Sequence, residues 1–190
     1  MRAFVIALCL VPLWLTGCSA PQSTRLTGDD MDEIAARMAA SLRRCPAVAA
    51  RTADSPLWVV TINQVTNLTS DVMSEGEKWY IMARVQGLMP MLALRQEKNI
   101  RFVIPAERRD AMLADPNIGA QAGELTEAFA AGRQPTHSLE ATFSSVSRAD
   151  PTHRTDAYQC QFQLLDLRSG EPAWMDQFDF KRAASGQVWD

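Results

Sequence analysis

No run of lysine and arginine in this chain is longer than two residues, and dipeptides such as Arg43-Arg44 and Arg108-Arg109 read as solvated helix faces. Phosphate binding needs a clustered basic face, so nucleic acid is excluded as a partner. Histidine is nearly absent. His137 and His153 are the only two. Neither has cysteine or acidic partners at ligand spacing, and both lie in polar, loop-like sequence, which predicts surface histidines and no metal site. No glycine-rich loop follows the early strand-like runs, and neither a nucleophile elbow nor a Cys-x-x-Cys pair occurs. The acidic group Asp29, Asp30, Asp32 and Glu33 sits where a helix N-terminus favours negative charge. With no catalytic constellation and no cofactor motif, the expectation is a protein that is not an enzyme.

Long apolar runs are missing too. The longest, Ala3 to Trp14, is too short to span a bilayer and follows a single positive residue, Arg2, as the core of a secretory signal does. Leu15-Thr16-Gly17-Cys18 then closes the segment. This tetrapeptide resembles the bacterial lipoprotein box, which implies cleavage before Cys18, acylation of its sulfur and stable anchoring by several chains such as palmitate. Ser19 follows where an aspartate would imply retention at the inner membrane. The expected location is the periplasmic side of the outer membrane.

What remains suits one globular domain. The chain has 190 residues, 47% of them apolar and 22% charged, with a formal charge of −3. The expected layout is a signal over 1–17, a lipidated linker over 18–28, a domain over 29–183 and a frayed tail over 184–190. The linker would span about 30 to 35 Å fully extended and nearer 17 Å as a coil. Cys9 leaves with the signal, so Cys45 and Cys160 stay in an oxidising compartment, either as one disulfide or as two buried thiols.

Hydrophobic periodicity supplies the elements. Met31, Ile34, Ala35, Met38 and Leu42 fall at helical spacing, with Asp30 and Glu33 as a capping-box-like start and Pro46 as the stop. Leu57 to Ile62 is a continuous apolar run suited to a central strand, and the polar stretch from Asn63 to Ser74 breaks it. Trp79 to Ala93 reads as one largely buried helix kinked at Pro90, and Met82, Met89 and Met91 read as core. Ile100 to Ile104 is a second strand, followed by helices over Pro105–Asp115 and Glu124–Ala131. Thereafter the period is two: Leu139-Ala141-Phe143, then Tyr158-Cys160-Phe162-Leu164, then Trp174-Phe178-Phe180 beyond the turn Arg168-Ser169-Gly170-Glu171. The fold class is therefore α/β (α+β): a single mixed sheet of about five strands with helices packed against it and a C-terminal antiparallel meander.

Two stretches carry a family resemblance. Val59 to Thr69, ending in Asn67-Leu68-Thr69, and Leu164 to Trp174, with its Ser169-Gly170-Glu171 turn and tryptophan strand, resemble the LpoB family of penicillin-binding-protein activators. Asp30 to Leu42 and Arg101 to Met112 fit the same order. The resemblance implies a fold similar to the N-terminal domain of TolB and to CsgG-like curli-secretion lipoproteins. It also implies an outer-membrane lipoprotein that binds a class A penicillin-binding protein and stimulates peptidoglycan synthesis, a non-catalytic regulator of cell-wall growth and cell shape. Asn67 and Thr69 are then candidates for a partner-binding loop. The alternative is a structural or assembly lipoprotein of an outer-membrane or curli-secretion-like complex.

Overall fold

The computed structural model describes residues 23–105 and 134–185, with Asp110 and Ala114 between them as two exposed helical positions. Cys18, the two helices expected after Pro105 apart from those positions, and residues 186–190 lie outside the described residues.

Helix α1 spans Gly28–Arg44 and starts at a capping box, although not the expected one. Thr27 is the cap and Asp30 its partner: the Thr27 side chain accepts from the Asp30 N–H, and the Asp30 carboxylate accepts from the Thr27 N–H at 2.7 Å. Glu33 pairs instead with Arg37 one turn on. The apolar stripe is as read, with Met31, Ile34, Ala35, Met38 and Leu42 all buried. Cys45 caps the far end, and Pro46 opens the short helix α2, Pro46–Ala49.

Strand β1 runs Trp58–Leu68, six residues beyond the expected stop at Ile62. The cause is a bulge. Ile62 pairs with Leu139 and Val65 with Ala141, so Asn63 and Gln64 together oppose the single residue Glu140. Unbroken alternation would put Gln64 in the core. The extra residue instead turns Val65 inward at 1% exposure and leaves Gln64 in solvent.

The helix expected over Trp79–Ala93 is two. Ser74 and Glu77 form the capping box of α3, Glu75–Gly87, and Pro90 is the cap of a separate α4, Met91–Glu97. Pro90 lacks an N–H and ends the ladder instead of bending it. Ile81, Met82 and Val85 are buried, while Ala83 and Leu92 face solvent. Met82 and Met89 are core, and Met91 packs against it.

Four more strands complete the sheet: β2 Ile100–Val103, β3 His137–Ala149, β4 His153–Asp166 and β5 Pro172–Ser185. The order is β2-β1-β3-β4-β5. β1 is parallel to both its neighbours, and β3-β4-β5 form an antiparallel meander, so the single mixed five-stranded sheet is as expected. α1 and α3 pack on one face over Leu139, Ala141, Phe143, Cys160, Phe162 and Leu164, with the Phe143 and Phe162 rings edge to face at 6.0 Å. The other face of the meander carries Thr142, Ser144, Gln159, Gln161, Gln163 and Gln177, all partly or fully exposed.

The tail does not fray where expected. β5 continues to Ser185, and Ala184 is 2% exposed against β4. Nor is Cys45 bridged to Cys160; both are free, buried thiols. Arg37 of α1 lies over Phe178, the strand partner of Cys160. Cys45 is eight residues further along, about 12 Å at helical rise, beyond the roughly 7 Å Cα separation that a disulfide tolerates. Burial pushes the Cys160 thiol up to about 12.

Candidate functional site

Strands β1, β3 and β5 all end at one edge of the molecule, the upper end, where the β3–β4 hairpin also turns. Asn67 and Thr69 stand there and close a turn on themselves. The Asn67 side-chain oxygen accepts from the Thr69 N–H at 3.0 Å and from its hydroxyl at 2.8 Å, and the Asn67 amide donates to the Asp71 carbonyl at 2.7 Å. Both side chains are therefore spent inside the loop. Their work is to present Asp71.

The Asp71 carboxylate accepts from the Tyr158 hydroxyl, which is also 3.1 Å from the Thr24 carbonyl. A phenol has one proton, so the charged acceptor takes it and the carbonyl shares the contact. Burial first, then the hydrogen bond to Asp71 and its charge, raises the Tyr158 pKa well above the ordinary phenol value of 10.0. One strand step away, Asp156 is fully buried. Thr24 donates to it at 2.5 Å, and Arg154 Nε lies 3.0 and 3.2 Å from its two oxygens. Burial alone would raise the Asp156 pKa, but the Thr24 and Arg154 contacts outweigh it and the net shift is downward. At the neighbouring corner Arg182 of β5 pairs with Asp30, whose pKa is likewise held down against burial by Thr27 and Arg182.

The segment before α1 is therefore not all linker. Thr24 is 1% exposed and bonded to β4, so the packed unit begins near Thr24 and not at residue 29. Neither Thr24 nor its partners were among the expected site residues. Asp156 and Tyr158 do carry a signal, because they share the parity of Cys160, Phe162 and Leu164 and so fall on the buried face of β4. Thr24 lies in a polar segment without periodicity and carries none.

The lower end holds the other polar cluster. His137, expected at the surface, is 4% exposed because β3 begins with it and its ring packs 4.1 Å from that of Trp58. The Arg51 guanidinium also lies over the Trp58 ring, at 4.1 Å, and its Nε donates to the Lys98 carbonyl. His153 is exposed as expected. Among the described residues no three His, Cys, Asp or Glu side chains converge as metal ligands, and no helix is long and apolar enough to cross a membrane.

Residues 30–180 match the family described as peptidoglycan-synthase activator LpoB. Among solved structures, the LpoB C-terminal domain from Salmonella enterica is 14% identical, with 80% of this chain and 98% of that one covered and a TM-score of 0.44. The LpoB C-terminal domain from Escherichia coli gives 13%, 80%, 98% and 0.43. Lipoprotein GNA1162 from Neisseria meningitidis is 14% identical over 66% of this chain and 83% of that chain, at a TM-score of 0.36. No curated protein matches the sequence.

Proposed function

The chain belongs to the LpoB family of peptidoglycan-synthase activators, and from that premise we propose that it is an outer-membrane lipoprotein, anchored through acylated Cys18, that binds and activates a class A penicillin-binding protein. It acts by surface complementarity and performs no chemistry of its own. The observation that carries the reading is the extent of the family match, which runs from the first turn of α1 into β5 and so takes in the described domain as a unit.

For the contact surface we choose the glutamine-bearing face of the meander over the Asn67–Thr69 loop. Asn67 and Thr69 have their polar atoms engaged in their own turn. On the meander Gln163 bonds Glu140 at 3.1 Å and Gln177 bonds Asp179 at 3.0 Å, leaving a row of amides with donors and acceptors still open to a partner.

The test is a pull-down with class A penicillin-binding proteins of the same organism, joined to a glycan polymerisation assay. Binding and a several-fold faster polymerisation are expected from the wild-type chain. Gln159→Arg with Gln177→Arg, both exposed, is expected to keep the thermal melt and lose the stimulation. Absence of binding and of rate change with every such synthase sinks the reading; a double variant as active as wild type moves the contact to another face.

A further inference from the structure

The upper end carries three aliphatic side chains in solvent: Leu68 at 65% exposure, Val72 at 87% and Val146 at 66%. Leu68 pairs with Ser144, and Val146 is two residues on, so both lie on the same face of the sheet. Val72 follows Asp71 in the loop that Ser70 ties to the opposite face of β3, through the Ser145 hydroxyl. The three mark one corner around residues 144–147 of β3, Leu68 and Val146 on one face of the sheet and the Val72 loop reaching it from the other.

The chain also enters at that corner. Thr27 lies beside Arg182 of β5, Thr24 bonds Asp156 of β4, and the Thr24 carbonyl shares the Tyr158 hydroxyl with Asp71. Followed backwards, residues 27 to 24 therefore cross the sheet from β5 towards the loop that bears Val72. From Thr24 to Cys18 there remain six peptide units, about 20 Å at full extension.

We propose that the corner formed by Leu68, Val72 and Val146 rests on the lipid surface that holds the Cys18 acyl chains. The inference rests on the lipid attachment proposed above. A tether of this length keeps the corner near the headgroups, whereas Leu167 lies nine strand residues beyond Tyr158, about 30 Å away. The chemistry favours lipid over a protein partner. The patch has aliphatic side chains without the aromatic anchors that dominate protein interfaces, and exposed Arg25 and Arg148 stand at the same end for anionic headgroups. Three such side chains bind a bilayer weakly by themselves, and the tether supplies the effective concentration.

The test uses the full-length acylated protein in vesicles of phosphatidylethanolamine and phosphatidylglycerol, with a nitroxide on Val72→Cys or Val146→Cys. Controls carry it on Leu92→Cys or Leu167→Cys, exposed aliphatic positions at the lower end. Relative to a Cys18→Ala form in solution, collisions with oxygen over a water-soluble nickel chelate are expected to rise several-fold at 72 and 146 and to stay unchanged at 92 and 167. Acylated protein whose four labels respond alike overturns the membrane seat while leaving the anchor intact. Absence of acyl chains on Cys18 by mass spectrometry overturns the anchor and the seat together. Protection at 72 and 146 that needs added synthase instead of lipid overturns the seat and assigns the corner to a protein.

Discussion

Thr24 donates its hydroxyl proton to the buried carboxylate of Asp156, 132 positions later in the chain. That single bond joins the segment entering from the N-terminal side to the second-last strand of the sheet. Thr24→Ala leaves the carboxylate with Arg154 and Ser147, and the loss of one partner from a buried charge costs about 1 to 3 kcal/mol. Urea denaturation is expected to show that loss, with Thr24→Ser restoring the wild-type midpoint. A Thr24→Ala midpoint equal to wild type would contradict the role given to this contact.

His137 makes stability depend on pH near neutrality. Burial holds its pKa below the ordinary 6.5, with the Arg51 charge acting in the same direction and Asp166 opposing. The unfolded chain therefore binds the proton more readily than the folded one. The stabilisation from neutral His137 is complete above pH 6.5 and is lost as the pH falls from there towards the folded value. Urea midpoints at about pH 7.5 and about pH 5.5 are expected to differ in wild type and to converge in His137→Phe. Asp156 adds a separate loss with the same sign only as the pH falls below its ordinary 3.8, because its folded pKa is depressed.

Arg51 staples the lower end. It donates to the carbonyls of Lys98 and Pro56 and covers Trp58, while Lys98 reaches back to the Ala49 and Arg51 carbonyls at 2.9 and 2.8 Å. Arg51→Met keeps much of the volume but strips two partly buried acceptors of their donor. The expected cost is about 2 to 3 kcal/mol. Lysine does not restore it, because one ammonium cannot reproduce the planar fork. Denaturation followed by tryptophan fluorescence checks both variants.

Cys45 and Cys160 are free and buried in the structure. A thiol reagent added without reductant is expected to react slowly with the folded protein, since burial raises both thiols away from the reactive thiolate. On unfolding it should count two thiols. A count of none would establish the bridge.

Much of this fold was legible wherever a buried face and a regular period coincide. The stripe of α1 and the alternation through Leu139-Ala141-Phe143 and Tyr158-Cys160-Phe162 were readable because each strand or helix has one wet face and one dry face. Legibility ended where local irregularity intervened. A bulge at Asn63-Gln64 hid half of β1, since it shifts the parity that marks a strand. Pro90 gave the right position and the wrong consequence, a new helix in place of a kink. His137 was misplaced because its burial depends on Trp58 and Arg51, far away in the chain. Of the expected site, Asn67 and Thr69 bond within their own loop, and the residues that tie that loop down, Thr24, Asp71 and Tyr158, meet only after folding.

β5 closes the sheet with fourteen residues whose outer side has no strand beside it among the described residues. An edge of that length is a template for another copy, and copies held on one lipid sheet by the proposed Cys18 anchor would meet far more often than in dilute solution. Pro172 removes one donor from the strand, and two acids, Asp176 and Asp179, are followed along it by two bases, Lys181 and Arg182. Stacked in parallel register, two copies would set like charge against like, so the strand most exposed to ribbon growth carries its own brake.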